Sequence, residues 1–293
     1  MITEMRDQGY LVEELCVAFD VSKSGYYSSL HEHSTPRKLE NEQLVARIKE
    51  VHSDRHRHCY GSPRMTTELN EMGYRCSPKR VARLMRENGI AARHKTAFKP
   101  KTTVQDSKLR PSPNRLSTAP EPQSPGKIYV SDITYVATRE GWLYLAVILD
   151  LYSRKVVGWD LDDHMEATLV TNALDRAVST QPPAKGAIFH SDRGSQYSSS
   201  TLRKRLPLYK FKQSMSAKGY CYDNAKNESF FASLKRECFP DNCCFDSKAE
   251  ARLRIFDYLE TFYNRHRRHS TLNNLSPDAF LARHYTNQYS ILN

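Results

Sequence analysis

Three runs that follow one another between residues 128 and 161 decide the fold: Ile128-Tyr129-Val130-Ser131-Asp132-Ile133-Thr134-Tyr135-Val136-Ala137, Trp142-Leu143-Tyr144-Leu145-Ala146-Val147-Ile148-Leu149, and Lys155-Val156-Val157-Gly158-Trp159-Asp160-Leu161. All three are rich in Val, Ile, Tyr and Trp, and Arg139-Glu140-Gly141 supplies a turn between the first two. Three strands in such close succession predict an antiparallel meander. Beyond them the pattern predicts a helix over about Glu166–Ser179 and a short buried strand over Ala187–His190. Further helices are expected over Ser199–Arg205, Tyr222–Cys238 and Lys248–His266. Strands first, then strand alternating with helix, predict a mixed sheet with helices on its faces, an α/β layer architecture.

Upstream the texture is helical. Leu11, Leu15, Ala18 and Phe19 fall at helical spacing, Asp20-Val21 breaks the run, and Ser22 can cap a second helix through Tyr26, Tyr27 and Leu30. Helix, tight turn and helix have the proportions of a helix-turn-helix. A second block carries the stripes Leu44, Ile48, Val51, then Met65, Leu69, then Val81, Leu84, Met85. Ser62-Pro63 and Ser77-Pro78 each set a capping side chain beside a proline. Lys79, Arg80, Arg83 and Arg86 occupy the sides of the third helix that its apolar stripe leaves open. From about Ala97 to Gly126 stand Pro100, Pro111, Pro113, Pro120, Pro122 and Pro125 without hydrophobic period, which reads as an extended, mobile linker. The expected organisation is a short helix-turn-helix-like segment over 1–35, a helical helix-turn-helix-type domain over 38–95, a basic Pro-rich linker over 96–126, an α/β core over 127–286 and a tail over 287–293.

Lys and Arg number 44 against 33 Asp and Glu, a net charge of +11 over 293 residues. The surplus is local: twelve bases against Glu87 and Asp106 lie between Arg75 and Arg115. Such a density is the footprint of a polyanion, or else a solvated linker. The composition, 39% hydrophobic and 26% charged, fits neither a disordered chain nor a membrane protein. The longest apolar run, Leu143–Leu149, is far short of the roughly 18 residues of a membrane span. Acids at Glu4, Asp7, Glu13 and Glu14 leave no room for a secretory signal, and seven cysteines without framework spacing read as reduced thiols. A cytoplasmic, nucleoid-associated protein with no membrane partner is the expectation.

Three carboxylates stand out by context. Asp132 interrupts an apolar strand, where a charge is expensive unless used. Asp192 ends the fourth strand in Phe189-His190-Ser191-Asp192-Arg193-Gly194, where ligand sites form in open α/β sheets. Glu228 lies on a helix whose Phe230, Phe231 and Leu234 point elsewhere, while Asn224 and Lys235 share its face. The 35 residues between Asp192 and Glu228 prove little as a spacing.

Other motifs carry a bland reading beside a functional one. Asp150 can be a fourth acid or the cap of a turn with Ser153, and the latter is expected. His190 can orient the site or simply hydrogen-bond within its strand. His52, His56, His58 and Cys59 lack the paired Cys-x-x-Cys of a zinc site and read as helix-end histidines. Cys243-Cys244 is incidental. Lys218, Lys226, Lys235 and Arg236 are candidate backbone clamps or solvated surface. The run Arg265-His266-Arg267-Arg268-His269 either meets phosphate or satisfies a helix dipole.

Residues from about Asn41 to Tyr285 resemble the DDE transposases of the insertion-sequence family three, in particular the product of its second reading frame. The resemblance rests on Ser131–Tyr135, Gly141–Ala146, Leu149–Arg154, His190–Tyr197, Ser214-Met215-Ser216, Asn224-Ala225 with Glu228–Phe231, and Tyr263-Asn264 with Arg267, His269 and Leu272. Upstream, Tyr60–Arg64 and Arg80–Met85 look like that family's helix-turn-helix. The resemblance implies a ribonuclease H-like core and an acidic triad of Asp132, Asp192 and Glu228 as catalytic and metal-ligating residues. It also raises Arg267 and His269; the expected DNA contacts are Arg267 together with Lys79, Arg80, Arg83, Arg86, Lys218, Asn224, Lys226 and Lys235. Gly219-Tyr220 and Lys226-Asn227 depart from the family's pattern beside the site, which touches DNA contacts more than chemistry.

The implied chemistry is phosphodiester transfer with two Mg²⁺ ions about 3.5–4 Å apart, Mn²⁺ substituting. Hard carboxylate oxygens suit Mg²⁺, which completes its octahedron with water and phosphate. The implied partners are element ends and target DNA, further copies of the chain, and an upstream-frame protein or longer fused transposase. Two other functions remain open at this point: a non-catalytic DNA-binding regulator of such a fused protein, and a ribonuclease H-like nuclease that cuts without joining.

Overall fold

Tyr129 and Val130 are neighbours on one strand and face opposite cores, and the whole α/β region is built on that alternation. The structure is a computed structural model that describes residues 1–30, 35–92, 111–216 and 225–292. Its helices are α1 (Ile2–Asp7), α2 (Val12–Ala18), α3 (Lys23–Leu30), α4 (Pro36–Ser53), α5 (Ser62–Glu71), α6 (Pro78–Glu87), α7 (Ala167–Thr180), α8 (Ser195–Ser198), α9 (Ser200–Leu208), α10 (Ala225–Glu237), α11 (Lys248–Phe256) and α12 (Pro277–Leu292). The strands are β1 (Ile128–Thr138), β2 (Gly141–Asp150), β3 (Val156–Asp162), β4 (Ile188–Ser191), β5 (Lys212–Met215) and β6 (Cys244–Phe245).

The main sheet has the order β3-β2-β1-β4-β5, and β6 pairs with the far end of β1. The β1–β2 and β2–β3 pairs are antiparallel, as the meander predicts, whereas β4 and β5 join in parallel. One face carries Tyr129, Ala146, Ile148, Val157 and Phe189 under α7 and α9. The other carries Val130, Val136, Leu145, Val147 and Leu149 under Phe230, Leu234, Ile255 and Tyr258. Burial on both faces explains why β2 reads as an unbroken apolar run.

The second core does not stop at the sheet. Leu44, Ile48, Met65, Leu69, Val81 and Leu84 of α4, α5 and α6 belong to the same continuous cluster. Charged contacts reinforce that seat: the Arg268 guanidinium donates to Glu68 at 2.7 Å and Glu71 at 2.5 Å, and His56 Nε2 lies 3.0 Å from Asp257.

Several local expectations change. Ser77 caps α6 by accepting from the Arg80 N–H at 3.3 Å, and Ser22 does the same for Gly25 at 3.0 Å. Ser62 is not a cap: Gly61 holds that position and Ser62 is already helical. The helix expected over Lys248–His266 is α11 followed by a π-helical stretch, Asp257–Tyr263, that turns Tyr258, Leu259, Phe262 and Tyr263 inward. The linker is anchored over its described part, because Ser214 Oγ accepts from the Arg115 and Leu116 N–H groups at 2.9 and 3.3 Å. β5 and α12 have no counterpart in the sequence reading. Among the described residues no helix is long and apolar enough to cross a membrane.

Candidate active site

β1 and β4 run in parallel with Tyr129 opposite Phe189 and Val130 opposite His190. The register ends at Val130 and His190; Asp132 lies two residues further along β1, and Asp192 lies just past the end of β4. Asp132 lies in step with Val130, on the face covered by α10. Each carboxylate is aimed by a backbone donor: the Ile133 N–H reaches Asp132 Oδ1 at 2.8 Å, and the Gly194 N–H reaches Asp192 Oδ1 at 2.9 Å. A Cβ on residue 194 would come within 3.1 Å of that oxygen, so glycine permits the close approach.

Behind the pair, the buried Tyr197 hydroxyl and Ser131 Oγ share a hydrogen bond of 2.9 Å. Burial holds the Tyr197 phenol well above its ordinary range, and the charges of Asp132 and Asp192 push the same way. One phenol thus lies within electrostatic reach of both acids.

Glu228 stands in the first turn of α10 and is exposed. Phe230, Phe231 and Leu234 bury the inner side of that helix. Lys235 lies seven residues on, two turns along nearly the same face. Its ammonium feels Asp132, while burial lowers its pKa. Glu228 therefore lies on the helix face that leads to Asp132. Among the described residues, however, no three His, Cys, Asp or Glu side chains come together closely enough to hold a metal. Asp132 and Asp192 both act on the one buried Tyr197 phenol, whereas Glu228 is exposed on α10. Carboxylates still make a donor set that suits a hard divalent cation, since Mg²⁺ is held by one or two carboxylates with water and phosphate.

The surrounding polar groups are structural. His190 is buried, and Ser214 Oγ, having accepted two backbone N–H groups, gives its proton to His190 Nδ1 at 2.9 Å. His190 then donates from Nε2 to Ser216 Oγ at 3.1 Å, which fixes the tautomer. Asp150 takes the turn role expected of it: it is buried, and accepts from the Ser153 N–H at 2.9 Å and from the Gly126 N–H at 2.9 Å. The histidines near residue 55 each have a local partner. His52 faces the Ala91 carbonyl, His58 the Arg55 carbonyl, and His56 stacks on Phe262 at 4.8 Å between centroids. Burial pushes the Cys59 thiol up to about 12.

The expected DNA contacts divide. Lys79 and Arg86 are exposed on α6. Arg80 is engaged by Glu40 at 2.8 Å and Asn41 at 2.9 Å, and Arg83 by Glu87 at 3.0 Å. Arg267 is a correction. Its guanidinium is buried, and it donates to both oxygens of Glu237 at 2.6 and 2.8 Å, so it cannot reach DNA. Lys218 and Asn224 lie outside the described residues, as does the side chain of Lys226. Glu237 itself escaped the sequence reading, although it falls on the buried stripe Phe230, Leu234, Glu237 at helical spacing, a sign that its charge is paired inside.

Comparison with known proteins bears on this arrangement. Models of the integrase core domain match residues 122–221 and 209–277, and a model of an HTH-like domain matches 38–98. The chain is 42% identical over 271 residues to an uncharacterized 31 kDa protein of insertion element IS600 from Shigella sonnei, covering 92% of this chain and 98% of that one. It is 37% identical over 278 residues to transposase InsF of insertion sequence IS3A from Escherichia coli K12, covering 94% and 96%. Among solved structures, the HTLV-2 integrase catalytic core, determined with magnesium, aligns with a TM-score of 0.40 at 13% identity, covering 54% of this chain and 97% of that one. An integrase core with a mixed, ribonuclease H-like sheet, preceded by an HTH-like domain, defines a polynucleotidyl transferase that acts on DNA. The chain belongs to the IS3 family of insertion-sequence transposases.

Proposed function

We propose that this transposase cleaves DNA at the ends of its insertion element and joins the freed 3′-OH to a target strand, in a reaction that requires divalent metal. The observation that supports the proposal is the parallel pairing of β1 with β4, which leads on toward Asp132 and Asp192, with Glu228 on α10, a helix packed on the same core. In this reading Asp132, Asp192 and Glu228 hold the metal, Mg²⁺ or Mn²⁺. When bound there, the metal polarises the scissile phosphate and lowers the pKa of the attacking oxygen.

The chain's own groups do the rest. The Gly194 N–H fixes the orientation of Asp192, and the Tyr197–Ser131 bond stiffens the strand behind Asp132. Lys235, close to Asp132 and partly desolvated, pairs with a phosphate of the same strand. Glu228, exposed at the start of α10, closes on the pair once substrate arrives. Two or more protomers act on paired ends, because two cut ends must reach one target.

The test is direct. Purified protein is incubated with terminal-repeat duplex and Mg²⁺, and binding, nicking and joining are scored separately. Wild type is expected to nick and join, and Asp192→Asn to bind only. Equal joining by both proteins would defeat the assignment.

A further inference from the structure

Five donors converge on the buried carboxylate of Glu237. Arg267 gives Nε to Oε2 at 2.6 Å and Nη2 to Oε1 at 2.8 Å, and the Tyr258 hydroxyl adds 2.8 Å to Oε2. Arg64, from α5, and Arg236, from α10, both reach the already occupied Oε1, at 3.4 and 3.1 Å. A carboxylate offers about four lone-pair sites, and the short, buried contacts of Arg267 and Tyr258 take the best of them. Arg64 and Arg236 share the remainder, and the Nε of Arg236 is buried without an acceptor among the described residues.

The charges do not balance either. Three guanidinium groups face one carboxylate, a surplus of two. Widening the circle adds Arg57 and Arg268 with Glu68 and Glu71, and the surplus stays the same. The C-terminal dipole of α10 offsets about half a unit. Nearby His269 registers the excess: burial first, then Arg267 and Arg64, drive its pKa down to about 3. Arg267 is sealed in, but the side chains of Arg64 and Arg236 remain 24% and 33% exposed. Two solvent-reachable forks from two different structural units thus lack a full anionic partner. Arg236 lies eight residues beyond Glu228, about 12 Å along the helix, which equals three to four nucleotide rises of B-DNA.

We propose that Arg64 and Arg236 form a clamp for a DNA backbone phosphate, at the junction between the helix-turn-helix unit and the catalytic core. The clamp rests on the transposase reading and extends it: it ties the strand in the active site to the HTH-like domain through one phosphate contact from each side. A phosphate there supplies further acceptors and offsets one unit of the surplus charge, and it reads no sequence.

The test uses the full chain and a duplex of random sequence, with affinity measured against salt. Each phosphate contact contributes about 0.9 to the slope of log K against log salt. Arg64→Gln and Arg236→Gln are each expected to flatten the slope, and the double variant, which loses the one clamped phosphate, by about 0.9. Arg64→Lys and Arg236→Lys should hold the wild-type slope, because an ammonium still meets a phosphate as a point charge. A second measurement needs no variant: an arginine-directed dicarbonyl reagent, read by mass spectrometry, should modify Arg64 and Arg236 less when duplex is bound. Slopes unchanged in the double variant, or both arginines labelled equally with and without duplex, overturn the clamp. A wild type that nicks and joins DNA while failing those tests leaves the transposase reading standing. Absence of any duplex binding by wild type sinks both.

Discussion

Glu237 and Arg267 meet fork to fork, at 2.6 and 2.8 Å, with both side chains almost wholly buried. The pair joins the end of α10 to the segment after the π-helical stretch, and so fixes the helix that carries Glu228. A buried pair broken from one side leaves a charge without a partner. Glu237→Gln, which leaves the buried Arg267 without its carboxylate, is expected to lose roughly 3–5 kcal/mol in urea denaturation, and Arg267→Met less, because Arg64, Arg236 and Tyr258 still reach Glu237. Their double variant should lose clearly less than the sum, and strict additivity would show that the two groups do not act as a pair.

The same cluster sets an acid limit on stability. Arg267 holds the Glu237 carboxyl down, to about 2, against the cost of burial. His269, whose ring accepts from Arg267 Nη1 at 3.2 Å, is kept neutral down to about 3. Both folded values lie below the unfolded ones, so the unfolded chain binds more protons as pH falls. Stability is therefore complete above about pH 6.5 and declines below it, first through His269 and then, from about pH 4.5, through Glu237. Replacing His269 with Asn should flatten the decline between about pH 6.5 and 5. Urea midpoints across pH check this, and an unaltered profile in His269→Asn would rule out that histidine as the source.

The α/β core was legible because burial writes itself into local pattern. β2 is apolar throughout because both its faces are covered, and α6 announces itself through Ser77-Pro78. Asp132 stood out as a charge in an apolar strand. Its grouping with Asp192 came from the family resemblance and not from local pattern, since β1 pairs with β4 across some sixty residues. β5 was missed because Lys212-Gln213-Ser214-Met215 has no branched residue and becomes a strand only by pairing with β4. Arg267 sits among bases that read as surface, and the acid that buries it lies 30 positions upstream.

Gly158 gives a prediction about packing rather than chemistry. A Cβ there would lie 2.2 Å from the Ala173 carbonyl oxygen and 2.6 Å from the Ala177 nitrogen, both backbone atoms of α7. Neither can swing away as a side chain would, so α7 must lift off β3. Gly158→Ala is expected to lose about 3 kcal/mol, the upper end for overpacking, seen as a lower Tm with unchanged helix content by circular dichroism. A Tm within a degree of wild type would mean that α7 does not press on β3 as closely as described.

Metal addition separates the acids as ligands from the acids as structure. In the proposed site Asp132 and Asp192 hold one ion between like charges, so a bound divalent ion relieves repulsion and stabilises the folded state by mass action. At ten times its Kd the gain is about 1.4 kcal/mol, worth a few degrees in Tm for a chain of this size. Millimolar Mg²⁺ or Mn²⁺ should raise the Tm of wild type and leave Asp132→Asn and Asp192→Asn unmoved. The same variants, which remove several kcal/mol of charge stabilisation, should slow strand transfer roughly a thousandfold or more. Glu228→Gln discriminates further: the exposed carboxylate contributes little to metal binding before DNA arrives, so its Tm response should stay near wild type while strand transfer falls as in the aspartate variants. A Glu228→Gln protein that loses the Tm response altogether would show that the third acid grips the metal without substrate, and the order of assembly argued from its exposure would be wrong.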